Sequence, residues 1–297
     1  ALFSGTARGA IFALVALGLA IVWRGAGIVN FAQMGQAMFS TYIASTLIAN
    51  GNSYWVGFVV ALLAGALLGA VLDICVMRPL SNKKKTELLS SESMRAAVPV
   101  IASLGILGVL QALAGIIWAA EERGFPAPFK QEGFNIAGSI MPFTAFDIFV
   151  ISLVLVTLVI TTLFFTKTGM GLAMRATALN QEVAKLSGIR TNHTRTLSWA
   201  ISGAASSLAG LLITPTSNLS PNTLDLVLIV GFTAAVVGGL DSPAGAVLGG
   251  LILGMVISFV TFYTSPENVF LSILAVLLLV LIIRPRGILG SKDVRRV

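Results

Sequence analysis

The chain is 297 residues long, 56% hydrophobic and only 10% charged, with a mean hydropathy of +0.94. Soluble globular domains carry about 25% charged residues, so a soluble enzyme and a nucleic-acid-binding domain are both excluded. The net charge of +7 then has to be read as membrane topology, because its basic residues fall between apolar runs.

Nine apolar segments follow one another, judged against the roughly 20 residues that span a hydrocarbon core. They run Gly5–Val22, Ile28–Ile48, Trp55–Met77, Val98–Trp118, Phe143–Phe165, Leu197–Thr214, Leu224–Gly239, Ala244–Phe262 and Val269–Ile283. The seventh is short enough to be re-entrant. The fold class expected is all-α: a polytopic transmembrane helix bundle of about nine spans, broken or short helices included, in a single domain over 1–297. A start at Ala1 without Met leads us to expect a few further N-terminal residues, and no signal peptide is visible. The single Cys75 excludes an internal disulfide and a cysteine-based metal site.

Lys and Arg set the orientation. Arg78, Lys83, Lys84, Lys85 and Arg95 follow the third segment, and Lys167, Arg175, Lys185, Arg190 and Arg195 follow the fifth. The tail carries Arg284, Arg286, Lys292, Arg295 and Arg296, whereas 50–54 and 216–223 have no basic residue. The positive-inside rule puts the three basic regions in the cytoplasm. With an odd number of spans, the N-terminus is outside and the C-terminus cytoplasmic. The external segment Ala119–Pro142 mixes Glu121, Glu122, Arg123, Lys130 and Glu132, which suits a plain loop or a surface for a soluble partner. A faint internal echo links Met77-Arg78-Pro79-Leu80 to Ile283-Arg284-Pro285-Arg286, and the turn Arg24-Gly25-Ala26-Gly27 to Gly238-Gly239-Leu240-Asp241.

In the second segment Asn30, Gln33 and Gln36 recur every three residues, which on one helix places them within about a third of its circumference. Lipid cannot satisfy such amides, so they face protein or water. Two readings fit: a face lining a route for a polar solute, or hydrogen-bonding glue between helices. Thr233, in the seventh segment, joins them as a candidate pathway residue. Further on, Gly238 and Gly239 break the chain, Ser242 is placed to cap a new helix, and Pro243 sits at its first position. Gly245 with Gly249, and Gly250 with Gly254, give small-xxx-small pairs. Together with Gly27 these are the candidate hinge and packing residues.

The longest polar stretch, 166–195, has the marks of a docking element. Asn180 is placed to cap a helix about two turns long, Glu182 sits in its first turn, and Gly188 closes it with Ile189 folding back toward Ala184. So short a helix is marginal alone in water and needs a partner, although a solvated loop can carry the same residues.

Absences narrow the function. Asp73, Asp147, Asp225 and Asp241 fall near segment ends, leaving no mid-membrane charge of the kind ion-coupled transporters use. His193 is the only histidine, and no phosphate-binding Gly-x-x-x-x-Gly-Lys-Ser/Thr loop occurs, so the chain is not expected to hydrolyse ATP.

Four patterns together resemble the branched-chain amino-acid type of ABC importer permease, over about Gly5 to Gly290. They are Gly27-Ile28-Val29-Asn30-Phe31-Ala32 with Met38 and Tyr42; Gly171, Arg175-Ala176, Asn180, Ala184 and Gly188-Ile189; Gly238-Gly239-Leu240 with Pro243-Ala244-Gly245-Ala246-Val247-Leu248-Gly249-Gly250; and Arg284-Pro285-x-Gly287-Ile288-x-Gly290. The resemblance implies a multi-pass subunit of the bacterial cytoplasmic (inner) membrane, without enzymatic activity, cofactor, metal or nucleic acid of its own. ATP and Mg would be bound by two cytoplasmic ABC ATPase partners. A second, non-identical permease subunit and an external substrate-binding protein would complete the assembly. Gly171, Arg175, Asn180, Glu182, Ala184 and Gly188 match the family's ATPase-coupling region. The chain departs at Gln33, where many members have His, and at Asp241, where many have a small or neutral residue. Those departures leave urea or short amides as alternatives to an amino acid, and a passive channel for small polar solutes as the alternative mechanism.

Overall fold

A computed structural model describes residues 2–80, 92–136 and 139–290, with side chains outside 92–96 and 135–142. Lys83, Lys84, Lys85, Lys292, Arg295 and Arg296, used above for orientation, lie outside the described residues. The helices are α1 (Leu2–Ala26), α2 (Gln33–Ala49), α3 (Tyr54–Leu80), α4 (Glu92–Trp118), α5 (Ala145–Lys167), α6 (Gly169–Leu179), α7 (Gln181–Leu186), α8 (Thr191–Ile213), α9 (Asp225–Gly238), α10 (Pro243–Tyr263) and α11 (Val269–Ile283).

Each of the nine apolar segments is a helix, and among the described residues seven are long and apolar enough to cross a membrane. The others are α2 and α9. Fourteen residues of α9 rise roughly 21 Å, short of a roughly 30 Å hydrocarbon core. Segment 119–142 is not only loop: Gly133–Ile136 (β1) pairs antiparallel with Ser139–Thr144 (β2).

The boundary of α2 departs from expectation. The helix starts at Gln33, so Asn30 precedes it and does not share a helical face with Gln33 and Gln36. Gly27 adopts φ +70° after the end of α1, a left-handed turn that sends residues 28–32 through irregular backbone first.

Two compact units form. One holds residues 1–20, 127–156 and 229–297; the other holds 21–126 and 157–228. In the first unit α10 packs on α1 by close backbone approach. A Cβ at Gly254 would stand 2.2 Å from Gly9 Cα, and one at Gly250 would stand 2.3 Å from the Ala13 backbone. Lipid tails are as apolar as leucine, so this approach, and not hydrophobicity, holds the helices together.

In the second unit α3 and α8 run antiparallel and meet in four-residue steps. Ser207 Oγ donates to Ala61 O at 2.8 Å. A Cβ at Gly65 would lie 2.6 Å from Gly203 O, and one at Gly69 would lie 2.2 Å from Trp199 O. One step further, Asp73 meets Arg195. These are rows of residues four apart on both helices, the commonest way for ridges and grooves to interlock.

Candidate functional site

The second unit carries a buried polar seam between α2 and α8. Thr194, Ser198, Ser202, Ser206 and Thr214 recur along α8 and its continuation in multiples of four residues, and all are buried. Most of these hydroxyls satisfy themselves on the helix. Ser198 Oγ donates to Thr194 O at 2.8 Å, Ser206 Oγ to Ser202 O at 2.6 Å and Thr214 Oγ1 to Gly210 O at 2.6 Å. One reaches across instead, Ser202 Oγ donating to Gln33 Oε1 at 3.1 Å, and beside the ladder Ser40 Oγ of α2 donates to Ser207 Oγ of α8 at 2.8 Å. Gln33 is therefore interhelical glue.

Asn30 and Gln36 are different. Both are 0% exposed, and neither carboxamide has a hydrogen-bond partner among the described residues. Burying one such group unpaired costs about 1–3 kcal/mol, so the unmet groups call for a reason beyond packing. Gln36 Oε1 lies 3.3 Å from where a Cβ at Gly203 would be, which directs its amide at α8. Asn30 sits in a turn sunk below the helix ends. Phe31 N donates to Ser103 Oγ at 3.3 Å, and Ser103 lies roughly 9 Å along α4 from the start of its apolar run at Ala97. Gly25 lies so close against Ser198 Oγ that no Cβ fits there. Thr233, on α9, is buried but belongs to the other unit.

The short helix expected after Asn180 forms with both of its caps. Asn180 Oδ1 accepts from Glu182 N at 2.9 Å and Val183 N at 3.1 Å. At the far end Gly188 takes φ +82°, with Gly188 N bonded to Lys185 O and Ile189 N to Ala184 O, both at 3.0 Å. That double bond with a left-handed glycine is the Schellman closure. Ala184 is buried, whereas Leu179 is 84% and Leu186 88% exposed and Val183 is exposed too. The helix thus presents apolar side chains outward, the reverse of a solvated loop. Gly171 is required at the α5–α6 corner, where a Cβ would lie 2.3 Å from Phe164 O. Arg175 on α6 is half-buried, and its Nε has no acceptor among the described residues. Beside α7, a pocket of about 310 Å³ opens between α6 and α8, lined by Met170, Ala173, Ile189, Arg190, His193 and Thr194.

Where α8 begins, an ion pair joins it to α3. Asp73, 0% exposed, has Arg195 Nε 2.7 Å from its Oδ1, off the direct N–H line, so that charge more than a directed hydrogen bond holds the pair. Thr196 Oγ1 donates to Asp73 Oδ2 at 2.5 Å and Arg78 Nε to the same oxygen at 3.2 Å. Arg78 Nη2 also donates to Asn192 O at 2.9 Å. Asp73–Met77 is a π-helical turn, with Arg78 N bonded five residues back to Asp73 O. Pro79 explains the widening: it has no N–H for the carbonyl of Cys75, so the α-helical ladder is interrupted there.

The α9–α10 turn is built from the residues expected. Ser242 Oγ caps α10 by accepting from Gly245 N at 3.0 Å, and Pro243 takes the first position. A Cβ at Gly238 would lie 1.9 Å from Gly245 O, and one at Gly249 2.0 Å from Ala234 O. The segment after α11 closes over this turn, with Ile288 N donating to Val237 O at 2.8 Å and Leu289 N to Gly238 O at 3.0 Å.

Two features escaped sequence reasoning. The hydroxyl ladder on α8 was visible as a four-residue period. The Asp73–Arg195 pair joins residues far apart in sequence, and its only local trace is the row Gly65, Gly69, Asp73 facing Arg195, Trp199, Gly203.

A family model described as "Branched-chain amino acid transport system / permease component" matches residues 1–283. The high-affinity branched-chain amino acid transport system permease protein LivH of Salmonella typhimurium is 29% identical over 311 residues, covering 100% of this chain and 96% of its own. BraD of Pseudomonas aeruginosa, a permease protein of the same kind of system, is 29% identical over 313 residues, with 100% and 97% covered. Among solved structures, PsaBC from Streptococcus pneumoniae in complex with Fab aligns with TM-score 0.50 at 13% identity over 95% of this chain and 91% of that one, a likeness of fold.

Proposed function

Because the chain belongs to the branched-chain amino acid transport permease family, we propose that it is one of two permease subunits in an ATP-binding-cassette importer. Two cytoplasmic ATPases bind ATP and Mg and drive it, and an external binding protein delivers a branched-chain amino acid or a related small polar solute. The observation that carries the ATPase partnership is α7: a helix too short to stand alone, capped at both ends, with its Val183 and Leu186 bare and Leu179, the last residue of α6, bare just before it. The basic residues that follow the third and fifth apolar segments support an outside N-terminus and a cytoplasmic C-terminus. On that topology α2, α4 and α8 run outward and α3 inward, in keeping with α3 lying antiparallel to α8. The cargo reading is supported by the whole-length likeness to LivH and BraD.

In this mechanism the ATPases close on ATP and push α7 as a rigid lever. The push biases the helices flanking the Gly27 and Gly238–Gly239 breaks between outward and inward arrangements. Asn30 and Gln36 then meet the solute in the arrangement that opens the seam, and Gln33 with Ser202 keeps α2 and α8 together. The neutral polar lining is also what a passive pore for urea or short amides would use.

The test is reconstitution of the assembly in liposomes, with co-purification of ATPases and uptake of labelled leucine against unlabelled isoleucine, valine and urea. ATP-dependent leucine uptake that urea leaves untouched supports the reading. Uptake without ATP, from membranes that express candidate ATPases, overturns it in favour of the channel. Gly188→Val sharpens the lever: a β-branched residue at φ +82° is strained by about 1–2 kcal/mol or more, and transport per ATP should fall while the chain stays folded.

A further inference from the structure

We propose that Asp73, Arg195 and Thr196 form a registry lock through which motion of the α7 lever carries α3 along with α8; the proposal rests on the ATPase partnership above. Only Ile189 and Arg190 separate the closing Gly188 from the first residue of α8, so displacement of α7 arrives at Thr191 with little slack. The second turn of α8 carries Arg195 and Thr196, and both hold the carboxylate of Asp73. Arg78 of α3 already reaches Asn192 O in the first turn, and at Arg195 and Thr196 the displacement meets the buried carboxylate of the same membrane helix.

The pairing below it differs in kind. At Gly69–Trp199 and Gly65–Gly203 the two backbones touch through glycines, which gives close approach without directional bonds. Contacts of this kind fix distance more than register, since Gly65 and Gly69 present the same small profile one step apart on α3. A carboxylate held by the Arg195 guanidinium and the Thr196 hydroxyl of α8 resists a slip by one step, because a displaced α3 carries Asp73 and Arg78 away together and leaves the largely buried Arg195 unmet. Buried polar groups have their best-attested use in fixing register. The π-turn adds a reason for the lock to sit here: it lets the last turn of α3 rotate against the rest of the helix. From α8 the displacement passes to the seam, where Ser202 holds Gln33 and Ser207 holds both Ser40 and Ala61 O.

The test uses the full importer reconstituted with its ATPases, and reads solute moved per ATP hydrolysed alongside the melting temperature. Asp73→Leu with Arg195→Met replaces the charges by apolar groups of similar size and leaves no charge of this pair stranded. With the complex assembled and melting as before, transport per ATP should fall at least about fivefold, the low end of coupling between sites. Arg195→Lys alone, which keeps both Asp73 and the opposing charge, should lower the ratio less than the double variant does. Thr196→Val removes one hydrogen bond and no charge, and should lower the ratio by about twofold to fivefold, so the proposal stays testable if the double variant does not assemble. An unchanged ratio in whichever of these variants assembles overturns the lock and leaves the importer reading intact. Failure of the unmodified chain to retain ATPases overturns both.

Discussion

The two glycine-broken turns look alike in sequence and are built to opposite ends. Gly27 after α1 and Gly239 after α9 both take positive φ, at +70° and +104°, and each is followed within a few residues by a new helix. At Gly239 the structure is sealed: Ser242 caps α10, and the Gly287–Gly290 segment lies against the turn with a Cβ at Gly239 only 2.8 Å from Gly290 N. At Gly27 nothing lies within 4 Å of the corresponding Cβ, α2 starts with no side-chain cap, and Asn30 stays buried and unpartnered between the helices. A turn that closes every polar group is a joint. A turn that leaves one open inside the protein is where a polar solute can be recognised.

The largest effect should come from placing the same residue in both turns. Asparagine tolerates the left-handed region, so Gly27→Asn meets open space and should cost about 1 kcal/mol or less. Gly239→Asn adds a collision with the backbone at Gly290 and should cost more than about 3 kcal/mol, with the segment after α11 released. Thermal melting in detergent and proteolysis of the C-terminal segment measure both. Equal losses would mean that the sealing contacts are incidental.

The next effect is functional. Replacing Asn30 by Leu removes an unpaired buried amide, so stability should hold or rise, whereas solute transport should fall about tenfold, the worth of one or two hydrogen bonds. Gln36→Leu should behave the same way. Gln33→Leu should instead lower stability by about 1 kcal/mol, because it strands the Ser202 hydroxyl. Identical behaviour of all three would erase the distinction between recognition and glue.

Much of this was legible before the structure. Apolar length alone placed nine helices, and the caps of α7 and α10 were readable because capping is local: Asn180, Gly188, Ser242 and Pro243 act on residues within four positions. What needed three dimensions was register. The spacing of Asn30, Gln33 and Gln36 suggested one helical face, but Gly27 diverts the chain so that the first of them lies outside the helix. Asp73 was legible only as a charge near a segment end, and its full burial was not, because no local pattern tells which helix will supply Arg195. The β1–β2 hairpin was hidden for a similar reason, in a charged segment where strand pairing is too short to leave a period.

The smallest expected effect distinguishes the two turns most sharply. Ser242→Ala removes the bond to Gly245 N and should cost about 1 kcal/mol, the ordinary worth of an N-cap, with transport per folded molecule unchanged. The converse substitution, Ala32→Ser, puts a capping residue at the equivalent place before α2. It should gain nothing. Ser242 has the extended backbone, φ −117° and ψ 107°, from which a side chain reaches the first-turn N–H groups, whereas Ala32 is already helical at φ −69° and ψ −7°. A hydroxyl on Ala32 would turn back toward a carbonyl of the preceding turn instead. A rise in melting temperature in Ala32→Ser would mean that the start of α2 relaxes toward the capped form, and with it the case for a turn held open for a solute would fail.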